Sequence, residues 1–179
     1  MLRGKAMLYR SILRDLAAEA LKAANTIAGE NVLTARSLPI RADLLPVIYL
    51  QVPDDRGESA GRFQPQFTRV ATLAIRGKLQ AGTPFDVELA LEGFAEQIEL
   101  ALMTDADLQA AITQVTELST SIVVSSDQSE HIGELRMILG LEYIETYPPP
   151  GTPLAEIDAT LFSPDNPAFA GMRVDFPTD

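Results

Sequence analysis

From Leu135 to Ile144 the chain reads LRMILGLEYI, and Leu135, Met137, Leu139, Leu141 and Tyr143 alternate strictly with Arg136, Ile138, Gly140, Glu142 and Ile144. Successive side chains of a strand point to opposite faces, so a period of two marks a strand with one face on a core. Just upstream, Ser125 to Gly133 is small and polar and reads as a turn. Before it, Val115 to Ser126 is rich in threonine, serine and valine, which suits a second strand. Downstream, Pro148-Pro149-Pro150-Gly151 closes the core, because proline cannot continue a ladder.

A half-buried sheet needs a layer against its apolar face, and two helical stretches supply one. Thr83-Pro84-Phe85-Asp86 has the form of a helix start, with Thr83 as cap, Pro84 in the first turn and Asp86 at the positive end of the dipole. The helix that follows carries Val87, Leu91, Phe94, Ile98 and Ala101/Leu102 on one face and Glu88, Glu92, Glu96 and Glu99 largely elsewhere. Asp105 to Ala111 reads as a further short turn. Near the start, Leu8 to Ile27 is amphipathic, with Leu8, Ile12, Leu13, Leu16, Ala20 and Ala24 spaced for one helical stripe.

Between the helices lie three strand-like runs. Val32 to Ala35 is short, and Val47-Ile48-Tyr49-Leu50-Gln51-Val52 is β-branched and aromatic and ends at Pro53. Phe67 to Leu79 places Phe67, Ala71, Leu73 and Ile75 on one face, with Thr68, Thr72, Arg76 and Lys78 on the other. Asp54 to Gln66 has no apolar period and contains Gly57, Gly61 and Pro65, so it reads as a mobile loop that orders on assembly. The order of elements predicts an α+β fold: an antiparallel or mixed sheet with two main helices on one face. Residues 1–147 form the core domain, and 148–179 form an extended C-terminal tail rich in proline and acid.

The 179 residues carry a net charge of −11 and no cysteine. Absence of cysteine removes disulfides, thiolate catalysis and Cys-based zinc sites. The acidic total disfavours nucleic-acid backbone and anionic lipid as main partners. No stretch reaches the ~20 apolar residues that cross a bilayer. The basic start, Met1 to Met7, is not followed by an apolar h-region, since Arg10, Arg14 and Asp15 interrupt it, so no signal peptide and no membrane partner are expected.

The chemistry-bearing residues are sparse. His131 is the only histidine. Ser125 or Ser129 with His131 and Glu130 would be neighbours in one turn, which do not converge on a substrate atom, and no G-x-S-x-G elbow exists. Asp54-Asp55 and Asp105-Ala106-Asp107 lack the glycine and closing glutamate of a calcium loop, so turn and capping roles explain them. No glycine motif cradles phosphate, and Gly77-Lys78 is isolated. The expectation is no catalytic residue, no cofactor and no metal.

The order of segments resembles the tail terminator family of long-tailed phages, also called tail completion or minor tail protein U-like. The segments that carry it are Tyr9–Ala24, Leu45–Val52, Val70–Lys78, Asp86–Leu102 and Glu134–Tyr147, spread over most of residues 7–147. The resemblance implies a structural virion protein of the tail, assembled in the bacterial host cytoplasm, that forms a hexameric ring capping the tail tube. Its partners would be itself, the tail tube protein and the head–tail connector, with no specific nucleic-acid sequence. The acidic total would suit a channel that DNA passes without sticking. Candidate interface residues are Asp54, Asp55, Arg56 and Arg62 in the polar loop, and Leu154, Ile157, Leu161, Phe162 and Phe169 in the tail. Those apolar residues are spaced too irregularly for a helix and could lie across the chain's own domain or the next subunit. Exposed loop charges alone contribute under ~1 kcal/mol. A small α+β binding module, or an enzyme of unknown substrate unrelated to phage tails, is the alternative.

Overall fold

The computed structural model describes residues 8–34, 44–62, 65–125, 131–147, 156–159 and 172–175. The chain has two compact units, Met1–Tyr147 and Pro148–Asp179. In the first unit the elements run α1 (Tyr9–Ala23), β1 (Val32–Thr34), β2 (Val47–Ser59), β3 (Gln66–Ala81), α2 (Pro84–Thr104), α3 (Ala106–Ala110), β4 (Gln114–Ser125) and β5 (His131–Thr146). The sheet is mixed and five-stranded, in the order β1-β2-β3-β5-β4. Only β1 and β2 run parallel; β2–β3, β3–β5 and β5–β4 are antiparallel. The expected α+β class, with a mixed sheet and helices packed against it, is what the fold has.

The alternation read in β5 becomes its burial pattern. Leu135, Met137, Leu139, Leu141 and Tyr143 are buried, and opposite them on β3 stand Gly77, Ile75, Leu73, Ala71 and Arg69. α2 lies over β3, β5 and β4, and α1 lies over β1 and β2. Helix α2 starts as its sequence predicts. Thr83 Oγ1 accepts from the Asp86 amide at 3.2 Å and donates to Asp86 Oδ2 at 2.6 Å. Asp105, read as a capping acid, accepts from the Leu108 amide at 2.8 Å and starts α3. Two glycines let α2 sit close to the sheet. A Cβ on Gly133 would stand 2.5 Å from Val87 Cγ1, and one on Gly77 would stand 2.8 Å from Phe94 Cε1. Phe94 is fully buried in the space that Gly77 leaves.

The structure corrects three expectations. In α1 the buried residues are Leu13, Ala17, Ala18, Ala20 and Leu21, while Leu8 and Ile12 are exposed. The core-facing stripe is therefore rotated from the expected one toward Ala17, Ala18 and Leu21. Second, Asp54 to Gln66 is not a loop throughout. β2 passes Pro53 through an irregularity between Gln51 and Asp54 and stays paired with β3 as far as Ser59 opposite Phe67. Pro53 has no amide to donate, and a bulge is where a ladder tolerates that loss. The arm is polar on both faces, so it carries no apolar period, yet the ladder satisfies its backbone. Third, His131 stands opposite Ala81 as the first residue of β5 rather than in the turn. Its Nδ1 is buried without a hydrogen-bond partner among the described residues.

The second unit contains β6 (Glu156–Ala159) and β7 (Met172–Asp175), paired antiparallel with Ile157 opposite Val174. Leu154, Leu161, Phe162 and Phe169 lie outside the described residues.

Candidate functional site

Three surfaces of the first unit carry the polar and exposed apolar chemistry. The first is at the far end of the β2–β3 arm, beneath the start of α1. Asp55 lies on the core face opposite Ala71, with its side chain 3% exposed. Arg69 holds it in a fork, Nε to Oδ1 at 3.1 Å and Nη2 to Oδ2 at 2.9 Å. Arg69 Nη1 also donates to Glu145 Oε2 at 2.7 Å, and the Tyr143 hydroxyl donates to Asp55 Oδ2 at 3.0 Å. The hydrogen bonds to Asp55 push the Arg69 guanidinium further above its ordinary range, against the opposing effect of burial. Burial, and then the bond to Asp55, push the Tyr143 hydroxyl well above its ordinary range, so it stays a donor. Tyr9 stacks on Tyr143 with ring centroids 4.6 Å apart and donates to the Ala111 carbonyl at 2.8 Å. A cleft of about 160 Å³ opens here between Arg10 and Glu145. Three of its four charged groups, Asp55, Arg69 and Glu145, satisfy one another, so the arrangement is a clasp joining β2, β3 and β5.

Of the interface residues expected in this arm, Asp55 is therefore turned into its own domain, where its charge is spent on Arg69. Asp54 and Arg56 pair with each other at 2.8 Å on the opposite face of the strand. Arg56 and Arg62 are exposed. Ile157 has its ladder partner in the second unit.

The second surface was not legible as a face. Helix α2 buries Val87, Leu91, Phe94 and Ile98 as expected, yet its outer side is also apolar. Phe85, Leu89, Leu100 and Met103 are 73%, 64%, 55% and 40% exposed. Beside them a groove of about 420 Å³ runs between α2 and β4, lined by Glu92, Ala95, Glu96, Glu99, Leu100 and Thr120. β4 is an edge strand of twelve residues, and no described strand pairs with its outer side. The sign of this surface in the sequence was a helix with more large apolar residues than one face can bury.

No protein-family model matches the chain, and no curated protein matches it. The surfaces themselves therefore carry the functional reading.

The third surface is the sheet face turned away from the helices. Glu134 lies there with its side chain 17% exposed, between Arg136 at 2.6 Å, Lys78 at 2.9 Å and Arg76 at 3.3 Å. Burial works against the Glu134 charge, but the hydrogen bonds from Arg136 and Lys78 outweigh it and hold the carboxyl below its ordinary value. One acid thus neutralises one of three cations. Arg76 and Lys78 were readable as sharing a strand face; that Arg136 and Glu134 join them depends on register. Among the described residues no three His, Asp or Glu side chains converge as metal ligands. No described helix is long and apolar enough to cross a membrane.

Proposed function

We propose that this chain is a structural subunit of a phage tail, of the tail terminator type, which closes into a ring on the tail tube and ends its polymerisation. The observation that carries the reading is the edge of β4, which no described strand pairs, beside the exposed apolar stripe of α2. Long edge strands without proline or lysine are templates for another chain, and folded monomers normally blunt them. β4 carries only Glu117 as a charge along its length. Large apolar side chains left outward along a helix likewise mark an interaction surface. The resemblance in element order adds the kind of assembly: a hexamer that meets the tube protein on one side and the head–tail connector on the other, built in the host cytoplasm. The role is one of shape and contact, without catalysis.

Adding the purified chain to polymerising tail tube protein, followed by electron microscopy, tests it. A ring on one tube end and arrested elongation is the expected outcome. Tubes that lengthen unchanged, with no added density at their ends, would contradict it.

A further inference from the structure

The outer face of α2 and the open face of the sheet are complementary and cannot meet within one chain. On α2, Phe85, Leu89, Leu100 and Met103 fall within an arc of about 60° at 3.6 residues per turn. Glu92 and Glu96 sit between them, with Glu88 and Glu99 on the flank. Glu88/Glu92 and Glu92/Glu96 are like charges four residues apart, and Glu96/Glu99 are three apart, spacings that destabilise a helix. Among the described residues no cation pairs with any of the four. On the other layer, Arg76 and Arg136 are 56% and 57% exposed, and beside them the apolar Val123 and Ile138 are 49% and 38% exposed. Glu117 and Glu142 lie beyond Ile138 on that face, so the basic patch occupies the end nearest the β3–α2 turn. An acidic helix with an apolar stripe thus backs one side of the domain, and a basic sheet surface with apolar neighbours backs the other.

We propose that the occupant of each face is the other face of a second copy: α2 of one subunit lies on the Arg76–Lys78–Arg136 end of the next subunit's sheet. This rests on the ring reading above and names its interface. Each subunit would then present one acidic and one basic side, the head-to-tail arrangement from which rings or filaments are built. Opposite charge across the contact sets its direction, since helix to helix or sheet to sheet would repel. The attraction is solvent-exposed at its rim, so added salt should weaken it.

Charge reversal in the full chain tests this. One variant carries Glu92→Lys with Glu96→Lys, and a second carries Arg76→Glu with Arg136→Glu. Each alone should sediment as a monomer where the unmodified chain assembles. An equimolar mixture should regain the assembled mass, because the altered helix of one variant fits the altered sheet of the other, and their unaltered faces still fit each other. That regain also shows that both variants fold. As a check that leaves the charged network of the sheet intact, Ser121→Cys with Glu96→Cys in this cysteine-free chain should give a covalent ladder with a short bismaleimide, and neither change alone should. If the unmodified chain assembles but reversal leaves its mass unchanged, or the ladder is absent, this interface is wrong and the ring stands. An unmodified chain that never assembles overturns both.

Discussion

Asp55 shows what a single side chain does in this protein. Its carboxylate is out of water, and the Arg69 fork and the Tyr143 hydroxyl replace its hydration. Removing one partner of such a pair leaves a charge buried without compensation, which costs about 3–5 kcal/mol. Arg69 is itself a quarter exposed, which places Arg69→Met near the lower end, at about 3 kcal/mol. Tyr143→Phe removes one donor to that carboxylate and should cost about 2 kcal/mol. Urea unfolding of the two variants checks the order; equal midpoints would show the clasp to be incidental. Glu134 gives the pH dependence. Its folded carboxyl titrates below its ordinary value near 4.5. Its contribution is therefore complete above that value and is lost as pH falls through the lowered one. The stability difference between the unmodified chain and Glu134→Gln should be full near neutrality and shrink below about pH 4.5.

At the scale of elements, the fit of α2 onto the sheet sets the strongest constraint. Gly133→Val would drive a side chain into Val87 and Leu91, an overpacking that costs about 1–3 kcal/mol. Gly93, in the same helix, has no heavy atom within 4 Å of where a Cβ would stand. Gly93→Ala should therefore stabilise by about 0.5–1 kcal/mol through helix propensity. Thermal melts of the two should move in opposite directions. These elements were legible because their signals are local: alternation in β5, the Thr83-Pro84 start of α2, the capping Asp105. The β2–β3 arm was not, because Asp54 to Ser59 has no apolar face and its strand character comes from pairing with residues 67–72. Pairing register is a tertiary fact, and it also hid the gathering of Arg76, Lys78 and Arg136 around Glu134. Amide exchange at Arg56 and Glu58, whose amides face β3 in this register, should accordingly be slow even in dilute protein. Exchange there as fast as in an unfolded chain would reject the arm as a strand.

For the whole molecule, fold and function were legible to different depths. Two helices against a sheet follow from patterning that one chain must satisfy by itself. Assembly depends on surfaces whose meaning lies in a partner, and Phe85, Leu89, Leu100 and Met103 look like core residues until the helix is seen to have its core on the other side. The −11 net charge is likewise uneven, with acids on α2 and cations gathered on the open sheet face. A head-to-tail contact between such faces closes into a ring only when the rotation per step divides the circle. Sedimentation of the unmodified full chain over a wide concentration range, at low and high salt, tests this most directly. A single closed species of six times the 19.4 kDa subunit mass, dissociating as salt rises, is the expected result. A monomer at every concentration and salt would contradict the account and favour a small binding module that uses the β4 edge for one partner.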